Sequence, residues 1–571
     1  MKSMNWEIGG FDRATAVEFC RCGVNALTSV LLASRGITRI EEVRAVLDGN
    51  HEDIHDPFLM TDIDKAVLRI KTAVENGERI AVYGDYDVDG MTSCALLALW
   101  LRSVGADFET YIPGRIGEGY GLNRAALEAL KSRGIGLVIT VDCGITAIEE
   151  AEYARAIGLG LVITDHHECR AELPEADAVV DPKRPDCNYP NKSLAGVGVA
   201  FKLICALEGV KDFDEMLWRY GDLVAIGTIA DVMPVLGENR ELIRRGLLTL
   251  NTAPRPGLLR LLKEISVGSG RANSATVGFM IAPRLNAAGR MGRPELSVEL
   301  LLTDSSEEAE RLTAELCRLN TERRSLETEI YREAVEMLPD ARLNEPIVLA
   351  QRGWFQGVTG IVAAKLAERY LVPAIIISIG EDGIGRGSCR SYGTFGIYDV
   401  LKSCEDILNN YGGHEMAAGV TVAEENINEF RQRVISYYRN CVKKMPKPGL
   451  LLDFEVEKFE LLSVKNIEAL ERLEPFGNGN PSPCLCIKGA VITSTHSIGS
   501  GKHTRLRIEK ADKSLDCIFF SMPSEDLSVG EGTLVDVAFE PQLNEFRGRV
   551  DVQLNLVDIR PSGPFESSDY G

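Results

Sequence analysis

Short apolar runs that end in acids recur along the first half of the chain. Ile80-Ala-Val-Tyr83 leads through Gly84 to Asp85, Asp87 and Asp89 at alternating positions, closed by Gly90 and followed by a helix-like segment, Met91 to Trp100. Leu137–Val141 leads to Asp142, then Cys143-Gly144 and a helical stretch from Ala147. Leu159–Thr164 leads to Asp165-His166-His167, Ala178–Val180 to Asp181-Pro182, and Leu223–Ala230 to Asp231. An apolar run without alternation reads as a strand buried on both faces, as in parallel sheets covered by helices. Repeated strand, acid and helix therefore predict an open, mostly parallel α/β sheet whose strand ends share one edge, where the acids converge.

The rest of the chain divides coarsely. Residues 1–51 read as an amphipathic helical region with Val43, Val46 and Leu47 on one face. A first α/β lobe spans 52–304, and 305–338, rich in Glu, Arg, Leu and Ala without Gly or Pro, reads as one long helix opening at an Asp/Ser cap. A second lobe, 345–445, again alternates strands (Ile347 to Ala350, Ala374 to Ile379) with a helix (Gly360 to Arg369). Pro446-Lys-Pro448 marks a boundary, after which 449–561 holds about five short strands, the signature of a small barrel.

Composition narrows the class. A chain of 571 residues can hold three or four domains, no apolar stretch reaches a membrane span, and the N-terminus lacks a signal-peptide pattern. The 14 cysteines are scattered, with Cys20/Cys22 and Cys484/Cys486 wrongly spaced for zinc ribbons, so reduced thiols in a cytoplasm are expected. A formal net charge of -21 is awkward for a protein that binds nucleic acid. However, Arg271, Arg284, Arg290 and Arg293 fall in one short segment, and bound cations would offset the acids.

Carboxylates this close repel unless cations hold them. Asp85-x-Asp87-x-Asp89-Gly90 opens like a calcium hand, but Leu96 stands where the bidentate Glu belongs and a strand precedes it. Carboxylates with one or two imidazoles suit two manganese or magnesium ions, whereas zinc recruits more His or Cys. Such a pair clamps the attacking and leaving oxygens of a phosphoester displacement. Gly196-Val-Gly198 lacks the third glycine of a dinucleotide fingerprint, Phe201 standing there, and no Walker lysine occurs. Gly412-Gly413 through Gly419 reads either as a tight turn or as a phosphate-contacting loop.

The series Asp85 to Gly90, Asp142, Asp165-His166-His167 and Gly227 to Asp231 resembles the successive motifs of the DHH phosphoesterases. Tyr111 to Arg115, Glu118 to Leu122, Pro283 to Arg290, Ser388 to Ser391, Gly412 to Gly419 and Leu473 to Pro481 are similar to the RecJ branch of that family, from about His55 to about Pro561. The resemblance implies two α/β lobes, DHH and DHHA1, joined by the long helix, with a C-terminal OB-type barrel. It implies a metal-dependent 5′-to-3′ exonuclease that degrades single-stranded DNA to 5′-mononucleotides in repair and recombination. Smaller relatives include oligoribonucleases, cyclic-dinucleotide phosphodiesterases and pyrophosphatases, and some eukaryotic relatives are inactive DNA-binding scaffolds. Asp87, Asp89, Asp142, His166 and Asp231 are implied as ligands of two Mn2+ or Mg2+ ions, Asp142 bridging, with Asp85 a further or outer ligand. Asp165 is implied to orient the histidines, His167 to contact the scissile phosphate, and Asp222 to hold its strand end. Arg115, Ser388 and Arg390 resemble the residues that hold a terminal 5′ phosphate, and Arg284, Asn286, Arg290 and His414 are further substrate-binding candidates. Single-strand-binding protein and a helicase are the partners implied, with no membrane. One departure is Phe355, after Trp354, where relatives commonly carry His.

Overall fold

The computed structural model describes residues 5–49, 53–114, 121–209, 212–265, 271–338, 344–442, 449–511, 513–546 and 549–563. The chain forms two compact units, Glu52–Pro446 and a second made of Met1–His51 together with Lys447–Gly571. Arg115 and the Pro446–Pro448 boundary lie outside the described residues.

The first lobe of Glu52–Pro446 is built on a five-stranded sheet ordered Phe108–Tyr111, Ile80–Tyr83, Leu137–Val141, Gly160–Thr164, Ala178–Val180, parallel throughout. Successive side chains of each strand enter different cores, as the pleat requires. Ile80, Val82, Leu137 and Ile139 join the layer that includes the helices Ile63–Glu75, Val88–Ser103 and Gly196–Glu208. Ala81, Tyr83, Val138 and Ile163 face the helices Arg124–Ser132 and Ile148–Ala156.

One expectation fails here. Leu223–Ala230 is not a strand but the end of an 18-residue helix, Phe213–Ala230, so Asp231 leaves a helix C-terminus. A run buried on all sides has the same pattern in either element. Glycines let this helix pack closely on the next one, Gly237–Thr252: a Cβ on Gly221 would lie 3.1 Å from the Gly246 Cα, and one on Gly246 would lie 2.1 Å from the Gly221 carbonyl oxygen. Asp222 is likewise helical; its two oxygens each accept from Arg255 at 2.8 Å, pinning two helices rather than a strand end.

The long helix runs Ser306–Glu336, with the Ser305 hydroxyl accepting from the Glu308 amide at 3.3 Å. At 1.5 Å per residue it spans about 46 Å. Leu312, Leu316 and Leu319 belong to the first lobe's core, and Ile330 and Ala334 to the second's, so one rigid element carries both lobes. The second lobe is a mixed five-stranded sheet ordered Asn410–Gly413, Ala417–Ala423, Ile384–Arg390, Ala374–Ile379, Ile347–Arg352. Only its last pair is parallel.

In the other unit Asn5–Ile8 pairs in parallel with Gly449–Leu452. Residues 1–51, read as a helical region of their own, thus begin with a strand, and their helices share one core with the barrel: Phe19, Leu27, Leu31 and Val43 pack with Ile467, Leu485 and Val537. In the barrel Leu485–Ile498 pairs with both His503–Lys510 and Leu534–Phe546, closing five strands with no edge left open between them. Among the described residues no helix is long and apolar enough to cross a membrane.

Candidate metal centre

The parallel sheet delivers its acids at one edge because each strand ends where its acid begins. Asp87 caps the helix Val88–Ser103, its Oδ1 accepting from the Gly90 amide at 3.1 Å. That cap folds the acid loop back on itself: a Cβ on Gly90 would stand 2.5 Å from the Asp85 nitrogen. Asp142, at the end of the next strand, has φ 62, a left-handed conformation that costs a non-glycine residue about 1 kcal/mol or more. Asp89 is buried, and its carboxylate takes the Gly196 amide on Oδ2 at 2.6 Å and the Val197 amide on Oδ1 at 2.8 Å. It therefore sits on the positive end of the Gly196–Glu208 helix.

Asp165 is saturated. Its Oδ1 accepts from the main chain of His166 (2.7 Å) and His167 (3.2 Å) and meets His167 Nδ1 at 2.7 Å, while Oδ2 accepts from the Ile145 amide at 2.9 Å. His166 Nε2 points the other way, 3.0 Å from Asp142 Oδ1, 3.6 Å from Asp231 Oδ2 and 3.8 Å from Asp89 Oδ2. Two sets of ligand atoms thus cluster within 4.8 Å, Asp89/His166/Asp231 and Asp85/Asp87/Asp142, and a third joins Asp142 with Asp165, His166 and His167. Asp142 lies in two of the three sets and touches the third through His166.

The carboxyls of Asp142, Asp89 and Asp231 are held above their ordinary range. Burial, then the charges of Asp89, Asp87, Asp85 and Asp231, pushes the Asp142 carboxyl well above its usual range. Burial and Asp87 raise Asp89 to about 7 against the two amides that hold it. Burial and Asp89 raise Asp231 to about 8. Burial and the neighbouring His167 lower His166 to about 3. A neutral His166 makes no ion pair with the carboxylates around it, so those short approaches are ligand-to-ligand distances. Asp142 Oδ1, Asp231 Oδ2 and His166 Nε2 are also buried without hydrogen-bond partners. Unsatisfied oxygens and one imidazole, with no thiolate among them, fit hard divalent cations. The neighbouring Cys143 is a buried thiol held far above its usual pKa by burial and aimed at the Tyr83 carbonyl. His167 behaves oppositely to His166: burial opposes its charge, but the hydrogen bond and charge of Asp165 prevail and raise it to about 9.

Two of the arginine candidates, Arg290 and Arg390, lie beside the first turn of one helix of the second lobe. Gly289 packs the Ala282–Arg290 helix onto the acid loop so closely that a Cβ there would be 2.1 Å from the Tyr86 carbonyl oxygen. Arg290 then reaches the second lobe and donates to the Gly357 carbonyl at 3.2 Å, in the first turn of the Gln356–Tyr370 helix. Beside that turn, the Ser388 hydroxyl lies 3.0 Å from Thr359 Oγ1, and Arg390 Nη2 would be 3.2 Å from a Cβ on Gly360. Phe355 precedes the same helix, with its ring edge 2.6 Å from where a Gly357 Cβ would stand. Arg284 donates to the Met280 carbonyl at 2.7 Å, Asn286 is half-buried on the same helix, and Arg293 pairs with Glu315 at 2.7 Å. His414 is exposed at a hairpin end, its amide donating to the Ala417 carbonyl at 2.8 Å, so Gly412-Gly413 form a strand and turn of the sheet edge.

Sequence reasoning missed Gly196 and Gly227. A Cβ on Gly196 would stand 2.6 Å from the Asp142 Cβ, and one on Gly227 would stand 2.9 Å from Asp89 Oδ1. For Gly196 the signal was present, since paired glycines opening an apolar helix mark a helix N-terminus open to close approach, whereas Gly227 lies within the Phe213–Ala230 helix and carries no such mark.

Three family models match, the DHH family N-terminal domain over residues 79–228, the DHHA1 domain over 344–440 and the RecJ OB domain over 452–558. The sheet edge and its acids thus define a two-lobed protein of the DHH class. Single-stranded-DNA-specific exonuclease RecJ of Bacillus subtilis (strain 168) is 40% identical over 566 residues, covering 98% of this chain and 71% of that one. Its Escherichia coli (strain K12) counterpart is 34% identical over 93% of this chain and 95% of that one. The crystal structure of RecJ in complex with Mn2+ from Thermus thermophilus matches with a TM-score of 0.82 at 30% identity, covering 99% of this chain and 81% of that one. The Mg2+ complex of the same protein matches with a TM-score of 0.77 at 29% identity, covering 98% of this chain and 79% of that one. The chain belongs to the RecJ family.

Proposed function

We propose that this chain is a metal-dependent exonuclease specific for single-stranded DNA, acting from the 5′ end and releasing 5′-mononucleotides. The observation that carries the reading is the cluster of buried acids and His166, with unsatisfied ligand atoms, on the lobe joined by Arg290 to the Ser388/Arg390 corner. Asp85, Asp87 and Asp142 would hold one Mn2+ or Mg2+, Asp89, His166 and Asp231 the other, with Asp142 between them. When bound, the pair supplies Lewis-acid charge and a water of lowered pKa.

The chain's own residues do the rest. The Gly196–Glu208 helix fixes Asp89. Asp165 locks the His167 ring and keeps it protonated at neutral pH, so that His167 donates to the scissile phosphate where charge develops. Arg390, Ser388 and the first turn of the Gln356–Tyr370 helix would hold a terminal 5′ phosphate and stop the strand, so that only its first diester reaches the acids. Arg115, assigned from its motif alone, Arg284, Asn286, Arg290 and His414 would steady the strand. The domain reading that accompanies this function is 52–304 DHH, 305–338 connecting helix, 345–445 DHHA1 and 449–561 OB fold, with 1–51 sharing the core of the OB unit rather than forming a helical domain of its own. Action in DNA repair and recombination, with single-strand-binding protein and a helicase in a cytoplasm, is part of the same proposal. Digestion of end-labelled single-stranded DNA, its duplex and a two-nucleotide RNA with Mn2+ tests it. Rapid loss of the single strand to mononucleotides is expected, and preference for the dinucleotide would move the chain to the oligoribonuclease group.

A further inference from the structure

The sheet's last strand, Ala178–Val180, pairs with Gly160–Thr164 so that Val180 lies opposite Thr164. The Asp165 amide extends the ladder by donating to the Val180 carbonyl at 3.0 Å. The residues leaving the two strands, Asp165-His166-His167 and Asp181-Pro182-Lys183, therefore emerge side by side on the edge that carries the acids. The first group orients and ligates; the second has no part in those roles.

Asp181 is fully buried; its Oδ1 accepts from the Lys183 amide at 2.7 Å, fixing a tight turn, and its Oδ2 has no hydrogen-bond partner. Lys192 holds the same loop from behind, donating to the carbonyls of Pro182 and Cys187 at 2.7 and 2.6 Å. With its main chain fixed on both sides, Lys183 leaves this turn beside the segment that carries the histidine pair. The Lys183 side chain is 24% exposed, and its Nζ lies 3.2 Å from Oε1 of Glu168, which is 71% exposed and directly follows the histidine pair. An ion pair with one solvated, rotatable partner contributes little and is readily exchanged. A phosphate oxygen placed beside His167 would outcompete that carboxylate, because the lysine is already positioned while Glu168 must be ordered to meet it.

We propose that Lys183 is a phosphate-binding residue of the site: in the free enzyme it rests on Glu168, and it transfers to a non-bridging oxygen of the phosphodiester seated against His167. The inference rests on the phosphodiesterase reading above. Lys183 would then supply a local positive charge to an anionic substrate on a chain whose formal net charge is -21.

The test uses the full chain with Mn2+ and two variants, Lys183→Gln and Glu168→Gln. The probes are a 5′-phosphorylated single-stranded oligonucleotide for turnover and deoxythymidine monophosphate for calorimetric binding. Lys183→Gln should lose ~10- to 100-fold in kcat/KM and bind the monophosphate about tenfold more weakly, with Mn2+ affinity unchanged or tighter. Glu168→Gln should bind the monophosphate a few-fold more tightly. Wild-type monophosphate affinity in Lys183→Gln overturns the proposal, and so does a parallel loss of Mn2+ affinity, which would make Lys183 a structural counter-charge. Monophosphate binding is measured without turnover, so a wild-type enzyme that left DNA uncut would count against the exonuclease reading, while the binding comparison would still decide the role of Lys183.

Discussion

Gly196 donates its amide to Asp89 Oδ2 at 2.6 Å, on a backbone so close to Asp142 that a Cβ would stand 2.6 Å from that residue's own Cβ. One glycine thus positions two proposed ligands, one by its N–H and the other by having no side chain. Gly196→Ala should push the helix N-terminus and Asp142 apart and cost ~100-fold or more in turnover, since misplacement by about 1 Å has that effect. Mn2+ titration calorimetry on the variant should show weakened binding; wild-type affinity and rate would mean that the helix end can shift without disturbing the acids.

Asp142 is the most strongly strained acid of the cluster, and removing its charge separates function from stability. Asp142→Asn should reduce turnover by ~1,000-fold or more, because the proposed link between the two cations is gone. The metal-free variant should melt no lower than wild type, since Asn has no carboxylate that must be neutralised on burial. Thermal melts with and without Mn2+ check this, and the Mn2+-induced rise in Tm should shrink. Turnover within about tenfold of wild type would remove the two-cation assignment.

Metal-free stability should fall as pH rises. Asp89 and Asp231 have folded-state pKa values of about 7 and about 8 against an ordinary carboxyl value of 3.8, so their protonated forms favour folding; that contribution is full below 3.8 and is lost progressively as pH climbs to about 7 and about 8. Cations bind the ionised forms, so Mn2+ affinity should increase over the same window while His166, lowered to about 3, stays neutral throughout. Melts at about pH 6 and about pH 8.5 with and without Mn2+, with calorimetry in buffers of different ionisation enthalpy, should show proton release on binding at the lower pH. Equal Mn2+ affinity at both values would contradict the raised carboxyls.

Arg390→Ala should lower activity on 5′-phosphorylated strands more than on 5′-hydroxyl strands, by about tenfold in the ratio, because a guanidinium forks onto a terminal dianion. Side-by-side rates decide it. An identical loss on both substrates would leave the direction of cutting unexplained by the Ser388/Arg390 corner.

The unit formed by Met1–His51 and Lys447–Gly571 has its own core, so both segments should be removed together. The remaining Glu52–Pro446 should bind long single strands ~10- to 100-fold more weakly while still hydrolysing strands of a few nucleotides, since OB barrels grip several nucleotides by stacking and phosphate contacts. Gel shift against strand length tests this, and equal loss at all lengths would give the barrel a structural part only.

Much of this protein was legible in its sequence where the signal is local. Ile80–Tyr83 and Leu137–Val141 announce buried strands because a parallel sheet is apolar on both faces, and acids at their ends share one edge by topology. Ser305 announces the long helix because a cap is a bond between near neighbours. Leu223–Ala230 deceived, because a helix buried on all sides has no polar stripe to reveal its period. Which ligands stand together, how His166 and His167 come to opposite charges, and why Gly196 must be glycine were decided only by tertiary structure. Each depends on groups far apart in the chain approaching within a few ångströms, where burial and like charge act at full strength. So too with the N-terminal strand Asn5–Ile8, whose partner Gly449–Leu452 lies far along the chain: no local pattern encodes a pairing that only the folded backbone closes.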